Sequence, residues 1–182
     1  MDNIILTAAT FAREAHGTQK RKYNTLPYIY HPARVAGRTM ILECTTPELV
    51  AAAFMHDVLE DTGVTRQEMV DVFGEKITTY VEMLTNEFTK TKYPALSRKE
   101  RKAKEADRLS QIPTPIKFIK ALDRIDNLLE IDMADKFTTT YLKESGDLCI
   151  ALTAGLDRIY SADFHVIHEL GNLVAQMKEK HG

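Results

Sequence analysis

AAAFMHDVLEDTGVT, residues 51–65, is the stretch on which the reading of this chain turns. Its first five residues are apolar, as in a helix with no side left for water. His56, Asp57, Glu60 and Asp61 then stand where the apolar run should continue. Residues four apart share a helix face, so a helix running from Pro47 to about Asp61 places His56 over Glu60 and Asp57 over Asp61. A solvated polar face accounts for a few charged residues on an ordinary helix. Here the flank is almost wholly apolar, and unpaired buried charge is costly. Imidazole beside carboxylate is a mixed donor pair suited to a divalent ion such as Mn²⁺, Fe²⁺ or Zn²⁺. The second pair, one turn on, is within reach of water on that ion.

Outward from this run the pattern is helical nearly throughout. Ile4, Ile5, Ala8, Phe11, Ala12 and Ala15 form one stripe at helical spacing. The polar stretch from Gly17 to Pro27, with Lys20-Arg21-Lys22, reads as a loop. Pro32 opens a helix to about Glu43. Thr65 reads as the cap of a short helix ending at Phe73-Gly74, with another over 75–85. Ser97 and Glu100 have capping-box spacing at the head of a charged helix, which Pro113 and Pro115 end. Residues 116–131, IKFIKALDRIDNLLEI, form a long amphipathic helix, and two more follow at about 137–154 and 161–180, with Ser161 as a cap and Gly155 as a break. No β-run, repeat or linker is evident. The expectation is a single all-α domain of about eight or nine helices, with a core over about 11–131 and C-terminal helices over about 137–180.

Composition narrows the function classes. With 182 residues, 44% hydrophobic and 27% charged, the chain has the make-up of one globular domain with a sizeable core. A net charge of -2 argues against a general nucleic-acid binder. The N-terminus has no cationic region before a long apolar run, and no segment reaches 18 uninterrupted apolar residues, so neither a signal peptide nor a membrane span is expected. Cys44 and Cys149 have no paired spacing and read as free thiols, which fits the cytoplasm.

Two further donors are on offer. His31 follows Tyr28-Ile29-Tyr30 at a helix start; packing near a turn is its bland explanation. Asp123 lies on the apolar face of the long helix among Ile119, Leu122, Ile125 and Leu129, and an ion pair with Arg124 or Arg158 is the alternative. With His56 and Asp57 they make two imidazoles and two carboxylates, sufficient for one ion with a position open to water. Asn127 shares the face of Asp123 and can hold a substrate hydroxyl or orient a ligand. Arg21-Lys22, on a loop, can grip a phosphate or be a solvated surface. The cations of the helix from Arg98 to Lys104 are a solvated face or a second meeting place for phosphates. His165 and His168 read as surface or packing residues, and His16 as the end of the first helix.

YIYHP, HDVLEDT and LDRIDN, in this order, resemble the HD metal-dependent phosphohydrolase superfamily, and within it the alarmone hydrolases akin to the hydrolase domain of Rel/SpoT enzymes, especially the small stand-alone versions. The resemblance runs from about Phe11 to Leu129. It implies an HD-type helical bundle and one Mn²⁺ held by His31, His56, Asp57 and Asp123. It implies that Glu60 and Asp61 position and activate the attacking water, that Arg21 and Lys22 face the nucleotide, and that Asn127 holds the ribose. The nucleotide synthetase and regulatory domains of the long enzymes are expected to be absent. Two departures stand out. YNTLP replaces a shorter glycine-containing turn, which leaves open whether Arg21-Lys22 or Lys20-Arg21 forms the basic pair. Asp126 stands where His or Tyr is frequent.

The implied reaction is removal of the 3′-pyrophosphate of a guanosine alarmone, (p)ppGpp, giving GDP or GTP and pyrophosphate. A bound ion would lower the pKa of its water and polarise the phosphate, and a carboxylate would orient or deprotonate that water. The expected partner is a small phosphorylated nucleotide, with no nucleic acid and no membrane. An adenosine alarmone or the 2′-phosphate of NADPH is the alternative substrate, and a non-catalytic nucleotide-binding regulatory module is the rival class.

Overall fold

The computed structural model describes residues 3–181. Among them the regular structure is helical: nine α-helices and one 3-10 segment, with no strand beyond an isolated bridge between Lys20 and Pro27. The described residues fall into two compact units, divided between Thr85 and Asn86. No described helix is long and apolar enough to cross a membrane.

The first unit carries α1 (Ile4–His16), α2 (Tyr30–Thr39), α3 (Pro47–Met55), α4 (Val58–Asp61) and α5 (Arg66–Leu84). Its hub is α3, which packs on α1, α2 and α5. Ala51, Ala52 and Ala53 are fully buried, and their small side chains let three helices close on one. Phe11 of α1 meets Phe73 of α5 edge to face at 5.1 Å. Local chemistry fixes the helix starts. Asn3 accepts from the backbone N–H groups of Ile5 and Leu6. Thr46 caps α3, with Pro47 in its first turn, and Thr65 with Glu68 forms a capping box at α5. At Gly74, φ is +75°, which kinks α5 where the sequence reads as two short helices.

Two expectations fail here. The helix from Pro47 does not run to Asp61: α3 ends at Met55, and α4 begins at Val58. The cause is a competing bond. His56 Nδ1 lies 2.8 Å from the Ala53 carbonyl, the acceptor that the Asp57 N–H would use in a continuous helix. The second helix starts at Tyr30 rather than Pro32 and stops at Thr39 rather than near Glu43. Pro32 falls in the first turn, where an N–H has no intrahelical partner anyway. Beyond Thr39 the backbone closes i to i−3 turns, Leu42 to Thr39 and Thr45 to Leu42.

The second unit carries α6 (Arg98–Ser110), α7 (Thr114–Glu130), α8 (Thr138–Thr153), a 3-10 segment over Arg158–Phe164, and α9 (His165–His181). Helix α7 packs on α8 and α9 and buries Ile116, Phe118, Ile119, Leu122, Ile125 and Leu128. Leu129, placed on that face by the sequence pattern, is instead 66% exposed. It shares the angular position of Leu122 and Ile125, but it lies in the last turn of α7, which ends at Glu130. The last helix starts at His165 and not near Ser161, because Asp157 caps the preceding 3-10 segment by accepting from the Ile159 N–H. Lys117 is buried and donates to the carbonyls of Ser110 and Ala154, so one ammonium serves the C-terminal ends of α6 and α8. Glu105 is also buried, accepting from the N–H groups of Glu87 and Phe88 at 3.0 Å each.

Candidate active site

In the first unit His31, His56 and Asp57 converge. His31 sits in the first turn of α2, held by the bond from its N–H to the Tyr28 carbonyl, and is fully buried. His56 is 1% exposed. Their Nε2 atoms face each other at 3.1 Å. Asp57 Oδ2 lies 3.1 Å from His56 Nε2 and 3.5 Å from His31 Nε2. The bond to the Ala53 carbonyl requires His56 Nδ1 to be the N–H, so in the neutral ring Nε2 is the bare nitrogen. Two imidazole nitrogens and a carboxylate oxygen aimed at one point are a donor set that fits a divalent ion. The break at His56 creates this arrangement. It turns the ring back onto α3 and lets Asp57 start a new helix.

Tyr28 stands behind Asp57. Its hydroxyl donates to Asp57 Oδ2 at 2.7 Å. Burial, then the charge and hydrogen bond of Asp57, hold its pKa well above the ordinary phenol value, so it stays a donor. The Arg21 guanidinium lies 5.5 Å from the Tyr28 ring centroid, which brings this cation to the Asp57 side of the loop. Lys22 reaches the Tyr23 hydroxyl at 2.7 Å. Glu60 and Asp61 are both exposed on α4. The Asp61 N–H bonds to the Asp57 carbonyl at 2.9 Å, so that pair keeps its one-turn spacing despite the break. Gln19 Nε2 lies 3.5 Å from Asp61 Oδ2.

In the second unit Asp123 is 6% exposed on α7. Lys120 pairs with it at 3.1 Å. Asn127 Nδ2 donates to Asp123 Oδ1 at 2.7 Å, so the amide orients the carboxylate. Lys120 also lines a cavity of about 630 Å³ between α6, α7 and α8. Arg98, Lys102, Arg124 and Lys143 line it together with Glu105, Glu144 and Asp147. Arg98 is paired with Glu144 through two bonds of 2.7 and 2.9 Å. The Lys102 ammonium is pushed below its ordinary pKa, first by burial and then by the charge of Arg124. The α6 cations are therefore not all a solvated face. Sequence patterns gave no sign of this cavity, of Lys120, or of Gln19. Tyr28 was visible only as part of an aromatic run.

The HD-domain family profile matches residues 8–153. The Xenopus tropicalis protein named guanosine-3′,5′-bis(diphosphate) 3′-pyrophosphohydrolase MESH1 is 36% identical over 131 residues, 70% of this chain and 69% of that one. A guanosine-3′,5′-bis(diphosphate) 3′-pyrophosphohydrolase of Aquifex aeolicus (strain VF5) is 39% identical over 124 residues, 68% of this chain but 17% of that longer one. Among solved structures, a metazoan ortholog of SpoT that hydrolyses ppGpp shares the fold, with a TM-score of 0.76 at 20% identity over 100% of this chain and 97% of that chain. A protein of Listeria monocytogenes EGD-e superposes with a TM-score of 0.68 at 25% identity over 86% of this chain and 98% of that chain.

Proposed function

The chain belongs to the HD-domain family, and from that premise we propose that it is a metal-dependent hydrolase removing the 3′-pyrophosphate of (p)ppGpp, yielding GDP or GTP and pyrophosphate. The observation that carries the reading is the convergence of His31 Nε2, His56 Nε2 and Asp57 Oδ2 within 3.1 to 3.5 Å. These three would hold Mn²⁺, with Asp123 as a further carboxylate. A bound divalent ion supplies a more acidic water and relief of charge on the phosphoryl oxygens. Every other task falls to the chain. Glu60 and Asp61 orient the attacking water and take its proton. Arg21 and Lys22 bind phosphate oxygens, and Asn127, already fixed on Asp123, holds the ribose. The cavity of the second unit, lined by more cations than carboxylates, supports an anionic substrate. The free thiols Cys44 and Cys149 fit the cytoplasm as the place of action.

The test is turnover of ppGpp with Mn²⁺, read by ion-exchange chromatography. GDP and pyrophosphate are expected in equal amounts, with no stepwise orthophosphate, and a chelator should abolish the reaction. Untouched ppGpp together with cleavage of an adenosine alarmone or NADPH would overturn the guanosine assignment but keep the hydrolase. No turnover across that panel would leave a nucleotide-binding module.

A further inference from the structure

His16 ends α1 and has no part in the reaction above, yet it touches both sides of the site. Its side chain is buried, 5% exposed. The ring lies against Tyr28, with centroids 4.5 Å apart and planes at 31°. Its Nδ1 lies 2.8 Å from Gln19 Oε1. Tyr28 in turn holds Asp57 and also feels the charge and hydrogen bonding of Asp61, and Gln19 reaches Asp61. The backbone ties the three together: the Gln19 N–H bonds to the His16 carbonyl at 2.9 Å, and the Tyr28 N–H to the Gln19 carbonyl at 2.9 Å.

The hydrogen bonds set a polarity. A carboxylate only accepts, so the Gln19 amide nitrogen faces Asp61 and its oxygen faces His16. His16 Nδ1 is then the N–H. The other ring nitrogen, Nε2, is buried without a hydrogen-bond partner. A buried polar atom left unpaired costs stability. A phenylalanine or leucine would fill the same space without that cost, so packing alone does not account for a histidine here.

We propose that His16 is a positioning residue for two carboxylates through two arms, of which the Tyr28 arm acts chiefly on Asp57. Through the Tyr28 ring it fixes the hydroxyl that orients Asp57, and through Gln19 it fixes the amide that orients Asp61. The inference rests on the reading above, in which Asp57 holds the ion and Asp61 acts on water. The arms therefore have different signatures. The Tyr28 arm sets metal affinity, since a hydrogen bond behind a ligand commonly changes affinity about 10–100-fold. The Gln19 arm sets turnover at saturating metal, since misplacing a catalytic group by about 1 Å can cost up to ~10²-fold.

The experiment uses the full chain, Mn²⁺ titration alone, and ppGpp turnover at saturating Mn²⁺. Tyr28→Phe keeps the ring and loses the hydroxyl; Mn²⁺ affinity should fall about 10–100-fold, and kcat with the ion in excess should fall less than in Gln19→Leu. Gln19→Leu should leave affinity unchanged and lower kcat at least about tenfold. His16→Phe keeps the stack and loses the donor, so it should behave as Gln19→Leu does. His16→Asn restores a donor without the stack, so kcat should return while affinity falls. Wild-type kcat in His16→Phe, or affinity and kcat falling together with Tm in every variant, overturns the two-arm assignment. Asp61→Asn in the same assay separates the layers. If it turns over normally, the reading of Asp61 fails; if it is dead while Gln19→Leu and His16→Phe are normal, only the positioning role fails.

Discussion

Both ring nitrogens of His56 are committed, Nδ1 to the Ala53 carbonyl and Nε2 to the point shared with His31 and Asp57. His56→Ala should therefore lose metal at equimolar Mn²⁺, measured by elemental analysis after desalting; unchanged stoichiometry would refute ligation. Glu60→Gln and Asp61→Asn should keep the metal and lose about 10²–10⁴-fold in kcat, measured separately. The residues proposed as donors stood out in the sequence because their types are rare on an apolar flank. His16, Gln19 and Tyr28 did not, since the roles proposed for them arise from proximity after the loop of residues 17–29 folds back. Glu105 misled in the opposite sense. It stands among charges that read as a solvated face, yet it turns inward to accept two backbone N–H groups. Glu105→Gln weakens charge-assisted bonds worth about 1.5–3 kcal/mol each. Urea unfolding should show a loss of about 1–3 kcal/mol, the difference between charged and neutral acceptors, and a change within the error of the fit would mean that the carboxylate charge adds nothing to these bonds.

Helix boundaries were readable wherever a side chain caps the backbone, as at Thr46, Thr65 and Ser97. They were not readable where a side chain competes with the backbone. No periodicity announces that the His56 ring will take the Ala53 carbonyl, and so a helix expected to be continuous is two. Gly74 lies between these cases: glycine marks a break, and its φ of +75° gives the reason. Gly74→Ala should cost about 1–3 kcal/mol by chemical denaturation, and a neutral outcome would show that α5 can straighten. Helices α3 and α5 are also joined by an ion pair, Lys76 to Glu48 at 2.8 Å. The hydrogen bond from Lys76 holds the Glu48 carboxyl down at about 2 against an ordinary 4.5. The folded chain therefore protonates less readily than the unfolded one, and the pair's contribution is full above about 4.5 and lost as pH falls toward 2. The pair is solvent-exposed, so the contribution is about 0.2–1 kcal/mol. Glu48→Gln should lower Tm slightly at neutral pH and not at pH near 2; a difference persisting in acid would assign the effect to packing.

At the scale of the whole chain, an all-helical architecture was legible from spacing alone, because nearly every segment repeats at helical period. The division after Thr85 was not, since no linker composition marks it. Mn²⁺ at 100 times its Kd should stabilise the native chain by about 2.7 kcal/mol. Calorimetry should show Tm rising with Mn²⁺ and returning after chelation; a Tm indifferent to the ion would exclude binding to the folded form. The same division sets an order in time. Residues up to Thr85 contain His31, His56, Asp57 and the helices that aim them, whereas Asp123 lies 38 positions further on. At about 5–20 residues per second the ribosome needs roughly 2–8 s to cover that interval. For those seconds a growing chain carries three of the four proposed donors and lacks the last, so on that proposal an ion would meet the donors of the first unit before α7 has been made.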